Sequence, residues 1–143
     1  MDYHAAFAIS KTGMALEQLR LEAATMNLAH VNVAARPGSE VYRAQHVVAH
    51  EAAAFSGLYG QALQSLHGVQ FVAAPATTAA SRLVLDPGHP DADASGHVAY
   101  PAINHNTEML NLMTAVRAYE ANVVALNAAK SMAQRALEIG GNS

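Results

Sequence analysis

The stretch Met109–Leu137, MLNLMTAVRAYEANVVALNAAKSMAQRAL, decides the fold of this chain. Its apolar residues recur at alternating intervals of three and four. This period is typical of a helix that packs against another helix along one narrow stripe. Only Lys130 interrupts the stripe. The residues that we expect to form this pairing seam are Met109, Leu112, Val116, Tyr119, Val123, Leu126 and Leu137, together with Ala133.

The first third of the chain supplies a partner helix with the same spacing. Its seam consists of Ile9, Leu16, Leu19 and Met26, together with Thr12, Ala23 and Val33. We therefore predict a mainly α-helical chain with a small β insertion. Two long terminal coiled-coil helices would pack together, and a central β-hairpin-rich domain would lie between them.

Turn signals divide the sequence into three parts. Arg36-Pro37-Gly38 ends the first helix, which gives an N-terminal helical part at 1–36. A second helix is expected from about Asn106, within a C-terminal part at 104–143. The insertion at 37–103 contains a flexible segment at 50–80 and four strand-like runs, of which the last two predict a hairpin: Val41–Val48, Val69–Ala73, Arg82–Leu85 and His97–Tyr100.

Each helix carries a second apolar stripe. On the first helix it consists of Phe7, Met14, Leu21 and Leu28. On the second helix it consists of Leu110, Met113, Val124, Met132 and Ile139, with Ala121 and Ala128. Pairing within one chain covers only one stripe per helix, so we predict that the second stripes contact other subunits. Alternatively, the middle of the chain folds back over them and they are ordinary core.

Composition excludes several classes of function. The chain has 8 Lys plus Arg against 11 Asp plus Glu, which argues against nucleic acid as a partner. No apolar run reaches the roughly 20 residues of a membrane helix, so we expect no direct membrane insertion. Asp2 stands where a secretory signal carries positive charge, and we expect no cleaved leader.

Motifs for chemistry are also missing. The 8 histidines lack paired ligand spacing except His46 and His50, which are too far apart in a strand for easy chelation. Asp91, Asp93 and Ser95 open like a calcium loop, but the twelfth position is Ala102 rather than a glutamate. We therefore expect no catalytic residues, no metal, no cofactor and no enzyme activity.

Several blocks of sequence resemble the bacterial flagellar basal-body rod protein family, and most of all its proximal rod members. The blocks are Leu19-Arg20-Leu21, Ala24–Ala29, Tyr42-Arg43-Ala44, Asp86–Ala92, Gly96–Pro101, Glu108-Met109 and Arg117–Asn122. His30 departs from this pattern, because the family usually has a second asparagine there. The residues that carry the resemblance include Asn27, Leu28, Ala29, Pro87, Gly88, His89, Pro90, Tyr119 and Asn122.

The resemblance implies a structural subunit that self-assembles through its terminal helices into the axial drive shaft of the flagellum. Its partners would be copies of itself and other flagellar rod proteins. It would be exported through the flagellar type III apparatus without a cleaved signal peptide and would reside in the periplasmic rod of the basal body. The alternative function is a monomeric binding or adaptor module that uses a helical hairpin and a β-hairpin recognition surface.

Overall fold

The computed structural model describes residues 3–51, 69–75 and 81–141. It has two long helices, with a small β region between them in the sequence. The predicted fold of two terminal helices around a β-hairpin region is confirmed. The expected flexible segment at 50–80 lies outside the described residues except at 50–51 and 69–75. The elements are α1 (Tyr3–His30), β1 (Gln45–Glu51), β2 (Val69–Pro75), β3 (Ser81–Leu85), β4 (His97–Pro101) and α2 (His105–Gly141).

The start of α2 is capped by Asn104, two residues before the predicted Asn106. The Oδ1 atom of Asn104 accepts hydrogen bonds from the backbone N–H groups of Asn106 at 2.9 Å and Thr107 at 3.3 Å. These amides have no partner within the helix, so the side chain satisfies them. Glu108 follows in the first turn, where a negative charge is favoured by the helix dipole.

The first helix ends at His30, before the turn signal Arg36-Pro37-Gly38 at which the sequence predicts its end. Ala35 forms an antiparallel bridge with Ala99, and the two residues exchange backbone hydrogen bonds of 2.8 and 2.9 Å. That bridge requires extended backbone, so the helix must stop before it. A turn follows in which Ser39 N–H donates to the Arg36 carbonyl, and Gly38 adopts a φ of 88°.

The β region consists of two separate antiparallel pairs. The predicted hairpin is present as β3 and β4, with Ser81 opposite Pro101 and Leu85 opposite His97. Strands β1 and β2 form the other pair. Because β4 bonds to β3 on one edge and to Ala35 on the other, it is the centre of its sheet, and Val98 and Ala99 are buried.

The helices run antiparallel, and two contacts define their register. Gly13 lies against Asn122, and Asn27 lies against Glu108. The second contact is fourteen residues later on α1 and fourteen residues earlier on α2. The same register places Tyr3, the first residue of α1, opposite Met132. The last turns of α2, residues 133–141, therefore extend roughly 13 Å past the start of α1. Among the described residues, no helix is long and apolar enough to cross a membrane.

Candidate assembly surface

Small and polar side chains form the line of closest contact between α1 and α2. A Cβ atom placed on Gly13 would lie 2.8 Å from Oδ1 of Asn122, so a larger residue here would require the Asn122 side chain to move. Heptad spacing marks the buried positions on both helices. On α1 they include Ser10, Glu17 and Ala24, and the buried Val31 directly follows the helix. On α2 they include Glu108, Ala115 and Ala129, with the half-buried Asn122 between the last two.

Asn27 joins the helix pair to the β region. Its side chain is 1% exposed, and its Nδ2 donates to the Gln45 carbonyl at 2.9 Å and to Glu108 Oε2 at 3.2 Å. Its Oδ1 accepts from the Gln45 N–H at 2.8 Å and from the Tyr42 hydroxyl at 3.1 Å. All four hydrogen bonds that an asparagine amide commonly makes are present, which fixes its orientation. The start of β1 is thereby held against both helices.

Tyr42 is positioned by His30. The His30 ring stacks on the Tyr42 ring with a centroid separation of 4.1 Å and an angle of 7°. His30 Nδ1 lies 2.8 Å from the Met26 carbonyl, which orients the imidazole. Burial, and then the negative charge of Glu108, raise the pKa of the Tyr42 hydroxyl above its ordinary value of 10.0. The phenol therefore stays protonated and continues to donate to Asn27.

The predicted pairing seam lies to one side of this contact line. Leu16 is buried, and Leu19, Met109, Leu112, Val123 and Leu126 are half-buried. Ile9, Met26, Val116, Tyr119 and Leu137 are exposed in the single chain. The exposed members bury less of their surface within one molecule than the other members do. The physical reason is the close approach at Gly13, which needs small groups at the interface and leaves bulky side chains at its margins.

The predicted assembly residues are less exposed on α1 than on α2. On α1, Phe7, Met14, Leu21 and Leu28 are half-buried. On α2, every member is at least half exposed: Leu110, Met113, Val124, Met132 and Ile139. At 100° per residue this set projects from the side of α2 opposite to Ala115 and Asn122. An apolar stripe on the outside of α2 is therefore uncovered by the described part of the chain.

The remaining family-motif residues lie in the turn between β3 and β4 and on the helices. Pro87, Gly88 and Pro90 are exposed, and His89 is half-buried with its Nδ1 accepting from the Asp91 N–H at 3.1 Å. Gly96 has a φ of 76° and lies against Pro87, which closes the turn. On the helices, Leu28 is half-buried and Ala29 is exposed.

Asp93 organises the return from this turn to β4. Its Oδ1 accepts from the backbone N–H of His97 at 2.8 Å, from the Ser95 N–H at 2.9 Å and from the Ser95 hydroxyl at 2.8 Å. The hydrogen bond from His97, followed by that from the Ser95 side chain, lowers the pKa of the Asp93 carboxyl below 3.8. Asp93 therefore serves as a structural anchor of the turn. In the described residues no cluster of three His, Asp or Glu side chains suits a metal ion.

An open cleft of about 250 Å³ lies where α1, α2 and β1 meet. We call it the carboxylate cleft, and its polar lining comprises Glu17, Arg20, Gln45, His46, Glu108, Asn111 and Thr114. Glu17 and Glu108 are each only 6% exposed. Arg20 Nη1 donates to Glu17 Oε1 at 2.8 Å. Within the described ranges, no basic nitrogen lies within 4.0 Å of a Glu108 carboxylate oxygen.

Sequence reasoning missed the contact line and the carboxylate cleft. A search for apolar spacing passes over Ser10, Glu17, Asn27, Glu108 and Asn122, because all five are polar. Two signals could have found them. Gly13 interrupts an otherwise strong helix, and Glu108, Ala115, Asn122 and Ala129 repeat at intervals of seven with small or polar side chains.

Comparisons with known proteins agree with this architecture. Residues 94–139 match the family described as flagellar basal body rod FlgEFG protein C-terminal. The chain is 36% identical over 134 residues to the flagellar basal-body rod protein FlgC of Salmonella typhimurium, covering 94% of this chain and 95% of that protein. It is 29% identical over 141 residues to FlgC of Borreliella burgdorferi, covering 92% and 93%. A 58-residue stretch is 52% identical to FlgC of Bacillus subtilis, covering 41% of this chain and 39% of that one.

The matches to the Salmonella and Borreliella proteins extend over nearly the whole chain, including both helices and the turn that Asp93 anchors. The resemblance suggested by the sequence blocks is therefore confirmed. The chain belongs to the FlgC family of flagellar basal-body rod proteins.

Proposed function

We propose that this structural subunit of the flagellar basal-body rod assembles through its terminal helices. The outward stripe of α2 would pack against helices of other copies and of other proteins of the proximal rod. The observation that carries this proposal is the row of exposed apolar side chains on α2. Val124 is 67% exposed and Ile139 is 79% exposed. Contiguous apolar surface of this kind on a folded chain marks sites of protein association.

The arrangement of α1 and α2 supports packing between subunits. Their mutual contact uses small side chains, so the larger apolar groups remain at the margins and on the outside of the pair. Additional helices can cover those groups, as they do in multi-stranded coiled coils. We propose that the coiled-coil packing predicted from the pairing seam forms between subunits, with Ile9, Met26 and Leu137 buried there.

Export and location complete the proposal. We infer that the chain passes unfolded through the flagellar type III apparatus and joins the rod in the periplasm, without a cleaved signal peptide. Family membership supports this inference, and no catalytic step is required. The test is a fusion of residues 1–36 to a reporter protein. The fusion is expected to leave the cytoplasm in cells with a working export apparatus and to stay inside cells without one. Equal release from both strains would contradict the proposal.

Val124→Asp and Leu21→Asp test the assembly itself. Each places a charge on a second stripe, where burial without a partner is strongly unfavourable. Each variant would replace the native copy in cells, and its amount in isolated basal bodies would be measured. We expect both variants to be absent from basal bodies and the cells not to swim. Ala94→Asp is the matched control, because it adds the same charge at an exposed position of the β3–β4 turn.

The behaviour of these variants distinguishes the two alternative functions, a rod subunit and a monomeric binding module. The family assignment favours the rod subunit, whereas a binding module would remain a stable monomer at high concentration. If Val124→Asp and Leu21→Asp both entered basal bodies at the native level, assembly through the second stripes would be refuted. Sedimentation of the purified variants, with circular dichroism of their helices, shows that loss of assembly does not reflect loss of folding.

A further inference from the structure

We propose that the carboxylate cleft receives a lysine or arginine side chain from α2 of a neighbouring copy, and that this cation pairs with Glu108. The inference rests on the proposed assembly through the terminal helices. It adds a specific polar contact to an interface otherwise described by apolar stripes. The observation that carries it is a buried carboxylate that lines an open cleft and has no cation beside it.

The charges within the cleft do not balance. Glu17 and Glu108 supply two carboxylates, and Arg20 supplies one guanidinium. Arg20 is already bound to Glu17 at 2.8 Å, and its side chain otherwise reaches solvent. Glu108 accepts a hydrogen bond from the neutral amide of Asn27 at 3.2 Å. Apart from His46, the lining thus carries two carboxylates and one guanidinium, and Glu108 is the carboxylate without a cation beside it.

In the single chain, the terms that stabilise the Glu108 charge and the term that opposes it are of similar size. A carboxylate in the first turn of a helix gains about 0.3–1 kcal/mol from the helix dipole, and a charged hydrogen bond adds about 1.5–3 kcal/mol. The effective penalty for burying an ion in a protein is several kcal/mol. When a second subunit covers the cleft, the remaining solvent is removed and the penalty increases. A cation delivered by that subunit offsets it.

The chain carries suitable donors on the helix that is proposed to contact other copies. Arg117, Lys130 and Arg135 are all exposed on α2. Within the described part of the chain, none of them lies within 4.0 Å of a carboxylate oxygen. Their long apolar stems can enter a cleft while the charged end reaches a partner. Lys130 also interrupts the pairing seam, where a polar side chain is known to determine helix register.

Glu108→Gln tests the charge while keeping the shape. The glutamine oxygen can still accept from Asn27, so we expect the purified chain to melt as the native protein does. The charge is lost, and we expect incorporation into basal bodies to fall by at least about tenfold, since truncating one side of a buried charge pair commonly has that effect. Glu120→Gln is the matched control on the exposed side of the same helix, and its incorporation is expected to be unchanged.

Charge reversal then identifies the donor. Glu108→Lys is expected to abolish incorporation, and it is combined in turn with Arg117→Glu, Lys130→Glu and Arg135→Glu. We expect one of the three double variants to recover incorporation. Native-level incorporation of Glu108→Gln, or failure of all three reversals, overturns the proposal.

The Val124→Asp variant keeps the two proposals distinguishable. If it fails to assemble while Glu108→Gln assembles normally, only the cation in the carboxylate cleft is refuted. If Val124→Asp and Leu21→Asp also assemble normally, the packing of the second stripes is refuted as well.

Discussion

The two ends of the helix pair are built differently. At the sheet end, around Asn27 and Glu108, hydrogen bonds from the buried Asn27 amide join α1 to α2 and to the start of β1. At the free end, beyond the Gly13 and Asn122 contact, only Ser10 and Ala129 are buried among the residues whose burial the structure describes. The sheet end is stabilised by contacts within one chain, whereas the free end leaves apolar side chains of α2 exposed.

This difference separates folding from assembly along one pair of helices. Local polar contacts specify the sheet end, so it can form before any partner is met. The free end lacks comparable burial, and in the proposed assembly its apolar side chains are covered by helices of other subunits. A substitution that removes buried hydrogen bonds at the sheet end should therefore change the stability of the monomer, whereas Glu108→Gln keeps its hydrogen bond to Asn27 and should not. A substitution at the free end should change assembly.

The largest expected effect is at the free end, from Leu137→Asp combined with Ile139→Asp. These side chains are 76% and 79% exposed on the overhanging turns of α2, so the free energy of unfolding of the monomer should change by less than about 0.5 kcal/mol. Incorporation into basal bodies should be lost, because two charges would enter an apolar interface. Loss of monomer stability, or normal incorporation, would contradict the claim that the free end serves assembly rather than folding. Urea unfolding and quantification of basal bodies measure the two properties.

The next largest effect is at the sheet end, from Asn27→Ala. The substitution leaves the N–H and carbonyl of Gln45, the Tyr42 hydroxyl and the Glu108 carboxylate without their partner. Unsatisfied buried groups cost about 1–3 kcal/mol each, and relaxation reduces the sum, so we expect the monomer to lose about 3 kcal/mol. Urea unfolding measures the loss. Asn32→Ala, at an exposed position, is the control and should change little. A loss below 1 kcal/mol for Asn27→Ala would show that the amide does not stabilise the sheet end.

The sequence predicted the helices and the hairpin because each depends on local signals. Apolar periodicity identified α1 and α2, and Asp86-Pro87-Gly88 with Gly96 identified the turn between β3 and β4. The end of α1 was missed because the bridge between Ala35 and Ala99 joins residues distant in sequence. The pairing of β1 with β2 was missed for the same reason.

The candidate surface was predictable only in its apolar part. The exposure of Leu110 and Val124 follows from counting stripes, since one chain cannot cover both sides of α2. Apolar spacing does not predict the contact line, because Gly13 and Asn122 meet by close approach rather than by burying apolar area. The role of Glu108 depends on Asn27, which is 81 residues away. No local pattern connects the two.

A smaller effect is expected where the two ends meet, from Gly13→Ala. Alanine favours the helix by about 1 kcal/mol, but its methyl group would press against Asn122 and overpacking costs about 1–3 kcal/mol, so a net loss of about 1 kcal/mol is expected. In an Asn122→Ala background the contact is relieved, and the same substitution should stabilise the monomer. Thermal unfolding of the four proteins gives the coupling between the sites. Independent, additive effects would show that the helices are not in close contact here.

The smallest effect is expected from Asp93→Asn, within the turn of the sheet end. The folded-state pKa of Asp93 lies below its ordinary value of 3.8, so its ionised form stabilises the folded chain above that pH. This contribution is lost as the pH falls through the folded-state pKa. The asparagine oxygen still accepts hydrogen bonds, but without charge they are weaker. The native chain should therefore be slightly more stable than Asp93→Asn at about pH 6, and the difference should shrink as the pH falls below 3.8.

Urea midpoints of the native and Asp93→Asn chains across that range measure this difference, with the exposed Asp86→Asn as the control. A difference that stays constant with pH would mean that the amide disturbs the turn by its shape, since only the charge of Asp93 can titrate. A difference that closes on acidification would show that the turn is held by a carboxylate within its own sequence. The turn would then be independent of both helices, because every hydrogen bond to Asp93 Oδ1 comes from Ser95 or His97. In that case the sheet end itself would contain one part that folds locally and another that requires Asn27 to join distant segments.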